Sequence, residues 1–78
     1  MLSFTTRRID STTTFVETLG GKHIGSVCVP GNHPTDHYHA IAHHPTKVAS
    51  DEGHFGSMEE AALAVAKGYV RNASEHTA

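Results

Sequence analysis

Eight histidines stand in this 78-residue chain, and three of them, His37, His39 and His43, fall in one stretch, Asp36-His37-Tyr38-His39-Ala40-Ile41-Ala42-His43-His44. On an extended strand alternate side chains share a face, so His37 and His39 project together. A pair at that spacing can chelate zinc or another transition-metal ion, with a third ligand from farther along completing an open site. His43 lies four residues past His39, about 13 Å away at roughly 3.3 Å per residue, so it reaches the same ion only through a bend or bulge. The same alternation sends Tyr38, Ala40, Ala42 and His44 to one face and His37, His39, Ile41 and His43 to the other. The first set suits a face closely covered by a helix. The second puts imidazoles on an open face, either as neutral polar decoration or as groups that stack, donate and accept against another protein.

Asp36, Asp51 and Glu52 lie near these histidines in sequence, and we read the acidic pair Asp51-Glu52 as part of a loop. The candidate partner-binding residues are therefore Asp36, His37, His39, Ile41, His43, Asp51 and Glu52, a histidine-rich and acidic edge suited to a basic surface. The alternative is a zinc site made by His37, His39 and His43. That histidine run resembles the first motif of cupin metal sites, where an acid follows the His-x-His pair. Here His43 takes the place of the acid, and the second cupin motif is missing.

The elements that must position these residues are marked by glycine and proline. Gly20-Gly21, Pro30-Gly31-Asn32 with Pro34, Pro45, and Gly53 with Gly56 separate four apolar stretches. Leu2 to Ile9 alternates briefly and reads as a strand or N-terminal arm. Ser11 to Leu19 and His23 to Val29 are rich in Thr, Val, Ile and Phe and flank Gly20-Gly21, so they read as a β-hairpin. Asp36 to His44 reads as a further strand ended by Pro45. The clearest element is a helix from Met58 to Arg71, because Ser57-Met58-Glu59-Glu60 matches a capping box. Glu59 and Glu60 in its first turn and Lys67 and Arg71 near its end complement the helix dipole. Met58, Ala61, Ala62, Val65, Ala66, Tyr69 and Val70 form its apolar stripe, Asn72 is expected to end it, and 73–78 is expected to fray.

Composition narrows the function. A chain of 8.4 kDa holds one small core and no large catalytic pocket. The basic residues Arg7, Arg8, Lys22, Lys47, Lys67 and Arg71 are scattered and the formal net charge is -2, which is no footprint for direct nucleic-acid binding. Histidine titrates near pH 6.5, so the surface charge depends strongly on pH. The single cysteine, Cys28, forms no internal disulfide, and no apolar run suits a membrane span or a signal peptide. A reducing cytoplasm is the expected compartment. Cys28 stands between Val27 and Val29 and reads as a small hydrophobe rather than a nucleophile. With no Gly-rich phosphate loop, Walker pattern or paired carboxylates, no catalytic residue is assigned.

These readings give an α+β domain, a three- or four-stranded antiparallel sheet with one C-terminal helix on one face and the other face open. Gly20 to Val29, His37 to Ala42 and Gly53-His54-Phe55-Gly56-Ser57-Met58-Glu59-Glu60-Ala61-Ala62 resemble, in general plan, the strand-strand-helix modules of small phage and mobile-element proteins, anti-CRISPR proteins among them. The resemblance implies a non-enzymatic inhibitor, without cofactor, that occupies a surface of a host defence nucleoprotein complex. A homodimer pairing through sheet edges or faces is compatible with this plan.

Overall fold

The computed structural model describes residues 3–29 and 37–77. Five strands precede one helix: β1 Phe4–Arg8, β2 Thr13–Thr18, β3 His23–Cys28, β4 Tyr38–Ala42, β5 Ser50–Phe55 and α1 Met58–Thr77. The strands form one sheet in the order β1-β2-β3-β4-β5 with every neighbouring pair antiparallel. The α+β class and the single C-terminal helix are as expected; the strand number is five rather than three or four. The additional strand is β5, whose Ser-Asp-Glu-Gly start has the composition of a loop. Pairing with β4 outweighs that weak local preference, so Asp51 and Glu52 are strand residues.

Local chemistry explains the turns. In the β1–β2 turn Asp10 Oδ1 accepts from the backbone N–H groups of Thr12 at 2.8 Å and Thr13 at 2.9 Å, so the side chain substitutes for a backbone turn. Between β2 and β3, Gly21 has φ 91°, a conformation costly for any residue with a Cβ. There Gly21 N–H donates to the Thr18 carbonyl at 2.9 Å and Lys22 N–H to Thr18 Oγ1 at 3.1 Å.

Two irregularities change which way the strands face. In β3 the register passes from Val16 opposite Gly25 to Glu17 opposite His23, leaving Ile24 as an extra residue. In β5 it passes from Ala40 opposite Gly53 to Ile41 opposite Asp51, leaving Glu52 as the extra residue. Gly53 has φ 102° and its N–H donates to Asp51 Oδ1 at 2.8 Å, so the second bulge is built from a carboxylate turn and a left-handed glycine. Each bulge reverses the alternation of side chains along its strand.

The helix starts where the capping residues place it: Glu60 N–H donates to Ser57 Oγ at 3.2 Å. It packs on β3, β4 and β5 and only lightly on β2. The core is Val16, Ile24, Val27, Ala40 and Ala42 of the sheet against Ala61, Ala62, Val65 and Ala66 of the helix. Small residues set the separation. A Cβ added at Gly25 would lie 2.3 Å from the Ile41 carbonyl oxygen and 2.4 Å from Val65 Cγ1. One at Gly68 would lie 2.6 Å from Glu52 Cδ and 2.8 Å from Ala42 Cβ.

The helix differs from expectation in two places. It runs to Thr77 rather than ending at Asn72. Asn72 is buried, and its carboxamide donates to the His43 carbonyl and to Ser50 Oγ, both at 2.9 Å, so it ties the helix to the sheet instead of capping it. Val70 is 45% exposed and leaves the apolar stripe, while Gly68 joins the buried face.

Two outcomes are expected in urea unfolding. Gly25→Ala should destabilise the fold by about 1–3 kcal/mol, the usual cost of overpacking, whereas Gly56→Ala, which has open space around it, should stay within about 0.5 kcal/mol. Asn72→Ala should cost about 1–3 kcal/mol, because the carbonyl and hydroxyl it serves lose their donor inside the helix–sheet seam.

Candidate functional site

With the helix on one face, alternate residues of the strands meet on the other. One cross-strand row holds Thr13, Cys28, His39 and His54, and the next holds Phe15, Ser26, Ile41 and Asp51. A third brings Glu17 opposite His23, with the His43 ring against His23. Among the described residues no element packs over this outer face. Phe15, Ser26, Cys28, His39 and Ile41 are half-buried there by their own neighbours, and His43, Asp51 and His54 are exposed.

The imidazoles occupy two clusters. In one, the His23 ring centroid lies 4.4 Å from that of Phe15 and 4.5 Å from that of His43, both edge-on. Beside them Arg7 pairs with Glu17, Nη2 to Oε2 at 2.9 Å and Nε to Oε1 at 3.3 Å, while its guanidinium carbon sits 5.8 Å from the Phe15 ring centroid. In the other, His39 and His54 stack with centroids 4.5 Å apart and planes at 11°, and the His37 ring stands 6.5 Å from His54. His39 Nε2 is 2.9 Å from Asp51 Oδ1, but off the line of a ring N–H, so the two make a close polar contact rather than an aligned hydrogen bond.

Burial and charge act on these groups unequally. His23 Nδ1 is buried without a hydrogen-bond partner. Burial first, and then the neighbouring His43, hold the His23 imidazole below its usual range, with Glu17 acting in the opposite direction. The Asp51 carboxyl is held below the usual carboxylate range by the Gly53 N–H first and by His39 second.

The predicted site residues separate into groups. His39, Ile41 and Asp51 come together on the outer face, His37 lies beside them against His54, and His43 sits in the other cluster with His23. The expected orientation of Tyr38, Ala40 and Ala42 toward the helix holds, both alanines being fully buried. His44 lies past the strand end, where its Nδ1 accepts from Thr46 and Lys47 N–H, both at 3.1 Å. Glu52 does not belong to the outer face. It turns under the helix and pairs with Arg71, Nη2 to Oε2 at 2.7 Å and Nη1 to Oε1 at 3.0 Å, and Arg71 draws its carboxyl below the usual range. Asp36 lies outside the described residues.

Four outer-face residues, Phe15, His23, Cys28 and His54, were not among the candidates. Phe15 and Cys28 follow from simple alternation once the hairpin register is known; His23 reaches this face because of the β3 bulge, and His54 because β5 pairs it opposite His39. Cys28 stands opposite His39 on this face and not in the core. Together with Thr12, Thr13, Val29, His39 and His54 it lines a shallow cavity of about 360 Å³. His43, packed on His23, is not gathered with His37 and His39, and among the described residues no three His, Cys, Asp or Glu side chains are arranged to hold a metal ion. Among the same residues no helix is long and apolar enough to cross a membrane. The chain matches no protein-family model, no curated protein and no solved structure, so function is argued from the geometry.

A group whose folded pKa lies below its unfolded value stabilises above the unfolded value, and that contribution is lost as pH falls through the folded one. For His23 the loss begins below about 6.5. Urea midpoints measured from pH 7.5 to 5 should therefore fall with acidity, and His23→Gln should reduce that fall; an unchanged slope in the variant would contradict the assignment.

Proposed function

We propose that the chain is a small non-enzymatic binding module whose outer sheet face docks against a basic protein surface. The observation that supports this most is the gathering of His23, His37, His39, His43 and His54 with Phe15 and Ile41 on the face that no described element covers. Neutral imidazoles supply donors, acceptors and flat apolar area, and aromatic residues are enriched in interface cores. Among the described residues the fixed charges on this face, Arg7 against Glu17 and Asp51, leave one net negative charge when the histidines are neutral, and the whole chain carries -2. The complementary partner is basic.

Size indicates the kind of complex. Five strands at about 4.8 Å spacing and five or six residues long give a footprint of roughly 350 Å². Counted on both partners this is about 700 Å², below the roughly 1,200 Å² of a stable specific interface, so the sheet face alone suits a weak, transient contact unless the partner reaches around an edge. The resemblance to phage and mobile-element proteins supplies the specific form of the proposal: a bacterial inhibitor that blocks a positively charged surface of a host defence nucleoprotein complex by steric or electrostatic means.

The test is capture from bacterial lysate followed by native mass spectrometry of the complex. Ile41→Lys should weaken a captured complex at least about tenfold, with Lys67→Ala on the exposed helix surface as the control that leaves it intact; circular dichroism checks that both variants fold. Failure to recover a stoichiometric partner, or equal loss in both variants, would contradict docking through this face. The same spectra with and without zinc address the metal alternative: the bare chain is expected, and a stoichiometric zinc lost in the His37→Ala/His39→Ala variant would establish a metal-binding protein instead.

A further inference from the structure

Resting on that docking reading, we infer that the outer face is a proton-operated charge switch, which holds a basic partner near neutral pH and releases it on mild acidification. The inference stands on the placement of five imidazoles on one sheet face in two close clusters. Among the described residues, with all five neutral the face carries one net negative charge from Arg7, Glu17 and Asp51, and with all five protonated four net positive charges. Histidine is the side chain whose ordinary titration falls in this pH window. No other residue of the face needs to change charge for the sign to reverse.

The groups around each histidine shape the response. His23 of β3 is faced by Glu17 of β2, by Arg7 of β1 beyond it, and by His43 after β4. His39 of β4 is faced by Cys28 of β3 and by Asp51 and His54 of β5, with His37 beside His54. In each cluster two imidazoles lie at a ring separation of 4.5 Å, so a proton on one places a cation beside the other. Glu17 and Asp51 are each already in contact with one cationic or protonatable neighbour, so two carboxylates stand against as many as six positive groups. The helix shields none of these side chains, because it packs on the opposite face. Acidification therefore converts the surface that attracts a basic partner into one that repels it.

Two measurements test this with the full chain. Imidazole carbon–proton NMR titration from pH 8 to 5 should show the face histidines gaining protons. Face histidines still neutral at pH 5 would overturn the switch. In the second, retention on immobilised poly-L-lysine at low salt is the probe for a basic surface. Retention should fall about tenfold or more between pH 7.5 and 5.5. It should fall equally in His44→Gln, which lies off the face, and far less when the five face histidines are replaced by glutamine. Retention that persists at pH 5.5, or that falls equally in the five-fold variant, overturns the switch alone. Absence of retention at both pH values, alongside the expected NMR titration, overturns the docking reading on which the proposal rests.

Discussion

The helix reaches the sheet through glycine and alanine, and the rest of the molecule depends on that close seat. Gly25 lies under Val65 and Gly68 lies over Ala42 and Glu52, each with no room for a Cβ. Ala40, Ala42, Ala61, Ala62 and Ala66 fill the seam between them. Short side chains contribute little apolar area each, so the core is thin and depends on close packing more than on bulk. Polar ties at the far end of the helix reinforce it: Asn72 to the His43 carbonyl, and Arg71 to Glu52, itself bonded by Ser50 Oγ at 2.6 Å. One helix covers one face, and a five-stranded sheet has two.

The two bulges decide what the second face contains. Were Ile24 paired regularly opposite Glu17, His23 would turn toward the helix; were Glu52 paired regularly opposite Ile41, Asp51 would do so and Glu52 would join the outer face. The first irregularity thus adds an imidazole to the outer surface and keeps it out of the core, where an unpaired polar ring is costly. The second lets Glu52 reach Arg71 while its neighbour Asp51 points to the other side. Stability and surface chemistry are consequently carried by different residues of the same strands.

This division explains which parts of the molecule were legible from residue order. The Gly20-Gly21 hairpin, the orientation of Tyr38, Ala40 and Ala42, and the Ser57 cap are local, because each depends on a few adjacent residues and a single period. β5 was not legible: Asp51, Glu52 and Gly53 have loop chemistry, and they are held extended by β4. Nor were the bulges, since a one-residue insertion leaves no mark in an alternation pattern and reverses every assignment beyond it. The β3 bulge brings His23 to the outer face, His54 comes with the loop-like β5, and Glu52, read with Asp51 as one acidic loop, parts from it at the β5 bulge. Asn72 resembles a helix stop until its partners, 22 and 29 residues away in the chain, are known.

The central claim is that one sheet face, populated by imidazoles, is open to a partner while the other is sealed by the helix. Paramagnetic relaxation by a soluble gadolinium chelate, read on side-chain carbon–proton signals of the isolated chain at two protein concentrations, tests it most directly. Strong relaxation of His39, His43, His54 and Ile41, unchanged with concentration, together with protection of Ala40, Ala42 and Val65, is the predicted result. Protection of both groups alike would show that the outer face is already covered, by the chain itself or by a second copy, and would contradict the account.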